Sequence, residues 1–345
     1  MKLVTGTLYF ISEVDVFTSQ AFDYYKIGLV KESRKGDSSD RLGEHQTGNP
    51  RKLQIKHTVE TPAISNLEST MHGLYATERV FGEWFHLPGA KGRTVMRHAD
   101  HLAQEQFAYA EAAATAVKYA KMASNGRTLK ATDEARTQHL IHQQASFERA
   151  ALSSIFNAER AFFENLKSSK FDTTLFFKQS FRKAPKFNEK GLAEKYPSLY
   201  KKFFFGDINF SPKFLISKLQ DQTLKLPSEL AKGIQDQSER LGSLGRTPTL
   251  AQVKEVHLQH LKFLGFEADA KWREANSKSV LRSLLKTNES IDGIAKWTRV
   301  GKNVNTFDKK GLASKHPELI EEFTTYSSVS QFEIVNMRSY PSSQS

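Results

Sequence analysis

A seventeen-residue pattern occurs twice in the chain. Phe187–Phe203 reads FNEKGLAEKYPSLYKKF and Phe307–Phe323 reads FDKKGLASKHPELIEEF, with nine identities at an offset of 120. A chain carrying one pattern twice builds the same local unit twice, so this repeat narrows the available folds more than any other feature. The likeness extends outward. Gly126-Arg127-Thr128 matches Gly245-Arg246-Thr247, His139-Leu140 matches His260-Leu261, Leu166-Lys167 matches Leu285-Lys286, and Phe177 corresponds to Trp297. We expect two tandem copies, 126–216 and 245–335. Each has a long helical part, an aromatic-basic strand, a short helix around K-G-L-A-x-K and a closing strand. A short helix and a linker are expected over 217–244 and a loose tail over 336–345.

The first 95 residues read differently. Gly6–Glu13 and Asp23–Glu32 are rich in β-branched and aromatic residues and predict strands. A short helix follows, carrying Arg41, Leu42 and His45, and Gly48-Asn49-Pro50 ends it. Lys52–Glu60 alternates as a third strand, and Pro62 opens a helix expected to run to about Val80. Gly82-Glu83-Trp84-Phe85 closes this region. The order β-β-α-β-α-β predicts a small α/β domain over 1–95. From about Ala99 the composition turns to Ala, Gln and Glu, which predicts a helical linker over 96–125. The fold class is therefore α+β: a small α/β sandwich followed by two mainly helical repeats with short strands.

The formal net charge is +12, unevenly spread. Residues 1–95 hold 12 Lys+Arg against 11 Asp+Glu, so the remainder holds 38 against 27. A basic surface releases counterions when it meets phosphates, so the later part is where nucleic acid would be gripped. There is no cysteine, hence no disulfide frame or thiolate metal site. No apolar run reaches membrane-spanning length, and the N-terminus lacks the zones of a secretory signal. A cytoplasmic protein without a membrane partner is the expectation. P-loop, G-x-S-x-G and H-E-x-x-H motifs are absent.

Hydrolysing a phosphodiester takes few parts: a group to position water, a cation for the phosphate, and a carboxylate that seats a divalent ion. The first domain has such a set. Tyr9 lies on the first strand and Lys26 on the second. Arg41 and His45 are four apart on one helix, and Glu68 and His72 four apart on the next, so each pair shares a face. Singly each residue has an ordinary structural role. Together, Leu8-Tyr9-Phe10, Tyr25-Lys26-Ile27-Gly28, Arg41-Leu42-x-x-His45, Leu67-Glu68 and Gly82-Glu83-Trp84-Phe85 resemble the GIY-YIG nuclease superfamily, in a phage-associated form, over about residues 5–88. That resemblance implies a metal-dependent DNA endonuclease. In it Tyr9 orients the attacking water, Arg41 binds the scissile phosphate, His45 shuttles a proton or donates to phosphate, and Glu68 holds Mg²⁺ or Mn²⁺. Lys26 departs from the pattern, standing where the superfamily has its second tyrosine. It serves as the base if its pKa falls, or as a phosphate contact, or its presence marks loss of activity.

Each repeat carries cations among aromatics. Lys178, Arg182, Lys183 and Lys186 in the first, and Lys296, Arg299 and Lys302 in the second, are candidate DNA contacts. Gly293–Arg299 and His316–Leu319 loosely resemble a C-terminal segment of phage recombination exonucleases, which implies a phage or prophage setting in a bacterial cell. DNA is the expected partner, with a homodimer on it possible. The alternative is a catalytically inactive DNA-binding or structural phage protein with a degenerate nuclease fold.

Overall fold

The computed structural model describes residues 3–18, 20–32, 38–47, 49, 51–166, 171–210, 213–219, 224–245, 247–338 and 340, with backbone alone at 207–210 and 302–305. It is a mixed α and β structure. Among the described residues no helix is long and apolar enough to cross a membrane.

The N-terminal part is a five-stranded sheet in the order β3-β1-β2-β5-β4. Its strands are β1 (Gly6–Val14), β2 (Ala21–Lys31), β3 (Lys52–Thr61), β4 (Arg79–Phe81) and β5 (Trp84–His86). Alternation along β1 decides the two faces. Leu8 and Phe10, with Ile27 of β2, pack against Ile64, Leu67 and Met71 of α2 (Ile64–Leu74). Tyr9 and Ile11 face the other way, onto Leu42 of α1 (Ser38–Gln46). Helix α2 stops at Leu74, well short of Val80, because the chain turns there to lay Arg79–Phe81 beside β5.

Residues 96–125, expected to be a linker, lie largely within α3 (Lys91–Ala120), which is no tether. Val95, Ala99, Leu102 and Ala103 complete the core above the sheet. Further along, Tyr109 and Ala113 meet Trp272.

Two long helices form the rest of the body, α4 (Asp133–Asn165) and α8 (Leu250–Leu285). Thr132 caps α4 by accepting from the Ala135 amide, and Thr249 forms a capping box with Gln252 on α8. They run antiparallel. Ala135 shares a core with Leu281 and Leu285, and Phe163 shares another with Val253 and Val256. The helix expected within 217–244 is part of the packed body. This helix, α7 (Ser228–Ser243), buries Leu230 against Leu152, Ile155 and Phe263. In the expected loose tail, Tyr340 is buried and its hydroxyl donates to the Lys254 carbonyl.

The similar segments fold alike. Asn188 and Asp308, 120 apart, cap two short helices, α5 (Glu189–Lys195) and α9 (Lys309–Lys315). Each is followed by another that opens on a proline, α6 (Pro197–Lys202) and α10 (Pro317–Glu322). The strands are longer than expected and pair across the segments rather than within them. β7 (Phe177–Phe187) runs antiparallel to β13 (Thr324–Ile334), with Phe187 opposite Thr324. β8 (Phe204–Phe210) pairs with β12 (Gly301–Phe307), with Phe307 opposite Phe204. These two registers map onto each other when 120 is added or subtracted, as do Phe177 opposite Ile334 and Trp297 opposite Phe214. The last pair belongs to a small sheet in which β6 (Thr128–Leu129), β10 (Ser290–Ile291), β11 (Ala295–Thr298) and β9 (Lys213–Ile216) lie side by side. At the far end of both ribbons the four short helices pack through Leu192, Phe203, Leu312 and Leu319. There Phe187 stacks on its counterpart Phe307 at 6.1 Å.

Candidate active site

The candidate site forms where the sheet has an open edge. β5 pairs with β2 only from Tyr24 to Lys26, and the Ile27 amide closes the junction by donating to the Glu83 carbonyl at 3.0 Å. From Gly28 to Lys31, β2 has no β5 partner. Helices α1 and α2 lie on opposite faces of the sheet, so Arg41 and Glu68 start from opposite sides. Tyr9, on the strand between them, is charge-coupled to both, while Arg41 is not among the charges that act on Glu68.

Tyr9 is buried, and its ring crosses the bare face of Gly28. A Cβ at 28 would stand 2.4 Å from the phenolic oxygen, so the close approach requires glycine. The hydroxyl lies 3.3 Å from His45 Nε2, with the Arg41 guanidinium close enough to act on it. Burial raises the Tyr9 phenol above its usual value, with Arg41 working against the shift. Burial, then the charges of Lys26 and Arg41, push the His45 imidazole below its ordinary value. At neutral pH the pair is a phenol beside a neutral imidazole. Helix α1 is held in place by Leu42 in the Tyr9 cluster and by Gln46, whose amide donates to the Arg51 carbonyl while its oxygen accepts from the Leu53 amide.

Arg41 is braced by Glu44 one turn on, while among the described residues its buried Nε has no acceptor. A buried guanidinium N–H without a partner is costly, and an oxygen of an incoming phosphate would satisfy it. Lys26, with its side chain only 12% exposed, is taken by Glu83, Nζ to Oε2 at 2.6 Å. Burial acts to raise the Glu83 carboxyl, but the Lys26 hydrogen bond and charge, backed by His72 and Arg79, hold it below its ordinary value. An ammonium held by a carboxylate is not a free amine base, which leaves Lys26 as a fixed cation.

Glu68 has the opposite environment. Burial, then the charge of Glu83, raises its carboxyl to about 7, against the pull of Arg79, Lys31 and Lys26. Among the described residues no donor is hydrogen-bonded to it. His72, one turn on, donates Nε2–H to the Ile27 carbonyl at 3.0 Å, and burial lowers it to about 4, so it is a neutral strut for the β2 edge.

Arg79 has no place in the sequence motifs, yet it is charge-coupled to both Glu68 and Glu83. The only sequence signal was its position four residues before Glu83. A cleft of about 340 Å³ between α2 and α8 begins at His72 and Arg79 and runs past Lys271 and Asn336. Among the described residues no three His, Asp or Glu side chains converge as a metal cage.

The candidate DNA contacts divide. Lys178, Arg182, Lys183 and Lys186 lie exposed on β7. Lys296 is exposed and paired with Glu289 at 3.2 Å. Lys302 lies in β12 with its side chain outside the described residues. Arg299 is a correction. It is 1% exposed, stacks on Trp297 at 4.1 Å, and donates to the carbonyls of Tyr119, Lys286 and Asn288. Its guanidinium closes the ends of α3 and α8, where terminal carbonyls lack helical partners, and it does not face a ligand. His139 and His142 are buried, with His139 bound to the Ser217 carbonyl at 2.6 Å.

Comparison with protein-family models, curated proteins and solved structures found no match.

Proposed function

We propose that this chain is a metal-dependent endonuclease that hydrolyses DNA phosphodiester bonds. In this reading a GIY-YIG-type first domain is carried on a duplicated basic module of phage or mobile-element origin. The observation supporting it is that Tyr9 of β1 lies 3.3 Å from His45 of α1 and is charge-coupled to Arg41 of α1 and Glu68 of α2. A scissile phosphate enters between Arg41 and Glu68, and the free Arg41 Nε donates to a non-bridging oxygen. Water is held by the Tyr9 hydroxyl. As it attacks phosphorus, its proton passes to the Tyr9 oxygen while the Tyr9 proton passes to His45 Nε2, and the bond to the leaving oxygen breaks. That oxygen takes a proton from solvent. A half-buried carboxylate without a protein donor suits one hydrated Mg²⁺, which keeps most of its waters and asks for few protein oxygens. Glu68 would hold that ion, which supplies positive charge to the developing oxyanion. Lys26, Arg79 and Lys271 lie along the adjoining strand and cleft as phosphate-side cations.

The test is nicking of a supercoiled plasmid in Mg²⁺ by the wild type and by Glu68→Ala. The expected result is cutting that needs metal and is lost in the variant. One feature favours a second reading, a non-cutting DNA-binding protein: the second-motif position holds a lysine already committed to Glu83. No nicking by the wild type, with salt-sensitive DNA binding retained, would select it.

A further inference from the structure

We propose that the β7/β13 ribbon is a binding strap for single-stranded nucleic acid, with Phe181 and Tyr326 as base-stacking platforms. This deepens the nuclease reading above and rests on it only for the expectation that nucleic acid is the partner.

A two-stranded ribbon is marginal in water unless one face is covered. Here both faces are bare through most of the length, with Lys178–Lys183 and Thr325–Gln331 all exposed. What holds the ribbon is its two ends. At the root Phe177 stacks on Phe332 at 5.0 Å within the helical core. At the tip Phe187 stacks on Phe307. The middle is thus presented in a fixed shape without burying anything, which lowers the ordering cost of a ligand.

The register decides what each face offers. Phe181 lies opposite Ser330, Lys183 opposite Ser328 and Pro185 opposite Tyr326, so Phe181, Lys183 and Tyr326 share one face. Phe181 is 70% exposed and Tyr326 62%. Four residues of strand separate their levels, about 13 Å at roughly 3.3 Å per residue, with Lys183 midway. Lys178, Arg182 and Lys186 repeat at the same interval on the opposite face. Glu333 is the single acidic residue in the two strands. It lies opposite Lys178, and among the described residues Arg182, Lys183 and Lys186 have no acidic residue across the ribbon or in an ion pair. Two bare rings flanking a free cation match unstacked bases on either side of a phosphate. A duplex hides its base faces and gives such rings nothing to stack on.

The experiment uses the full chain in EDTA, so that cutting is off and binding does not depend on Glu68. Fluorescence anisotropy is read with a labelled oligothymidine 20-mer, an oligouridine 20-mer and a mixed-sequence 20-base-pair duplex at 100 mM salt. The wild type is expected to bind one or both single strands more tightly than the duplex, the two oligomers showing whether DNA or RNA is preferred. The double variant Phe181→Ala/Tyr326→Ala should weaken single-strand binding ten- to hundred-fold and shift duplex binding less than two-fold. Lys183→Glu should also weaken it and flatten its salt dependence. Both rings are exposed, so an unchanged melting temperature is expected and guards against misfolding. Wild-type preference for duplex, absence of binding to any of the three probes, or a double variant within two-fold of wild type on single strands would each overturn the proposal. The plasmid assay reads the nuclease separately, so either can fail alone.

Discussion

Replacing Glu68 by glutamine tests the core of the site through stability as well as activity. Burial and the Glu83 charge raise the Glu68 carboxyl from 4.5 to about 7. A carboxyl whose folded pKa lies above its unfolded one favours the native state while protonated. That contribution is full below about 4.5 and is lost as pH rises to about 7. Taken whole, the shift corresponds to roughly 3 kcal/mol, and solvent screening of a partly exposed group brings it nearer 1–2 kcal/mol. Glu68→Gln keeps the shape and never ionises. In EDTA, urea denaturation should show the variant about 1–2 kcal/mol more stable than wild type at pH 8 and about equal at pH 4.5. Adding Mg²⁺ at pH 8 should stabilise the wild type alone, because an ion that binds only the folded carboxylate draws the equilibrium toward it. Nicking should vanish in the variant. A gap that does not change with pH, or a wild type that gains on the variant as pH rises, refutes the claim that burial dominates at Glu68.

Three further outcomes follow from the geometry. Gly28→Ala puts a Cβ where the Tyr9 hydroxyl now lies, so Tyr9 must leave Arg41 and His45. Nicking should fall about 100-fold, with a stability loss of about 1–3 kcal/mol in denaturant titration. Lys26→Met strands Glu83. Glu83 has a lowered folded pKa, so its contribution is present above about 4.5 and lost on acidification. The variant should be about 1 kcal/mol less stable at pH 8, and the gap should close toward pH 4 in urea titrations. Arg299→Ala uncovers three carbonyls and a Trp297 face, and should cost about 3–4 kcal/mol by denaturation while leaving the salt slope of DNA binding unchanged.

Much of the first domain was legible in the sequence because its signals are local. Period-two alternation in β3, and helical spacing at Ile64, Leu67 and Met71, state which face each residue takes before any partner is known. The 120-residue repeat likewise implied two segments of the same local form, and the structure adds that Asn188 and Asp308 cap equivalent helices. The three-dimensional arrangement alone decided the rest. Whether the β2 edge beside Tyr9 stays open depends on β5 leaving β2 after Lys26, a pairing between residues almost sixty apart. That Lys26 is held by Glu83 follows from the same edge. Strand exchange between the two segments links residues about 80 to 160 apart, and no local pattern encodes which copy a strand will choose. Arg299 and Lys183 look alike in a basic, aromatic stretch. One is buried at two helix ends and the other stands bare on a ribbon, because burial is a property of the elements that close over a residue and not of its neighbours in the chain.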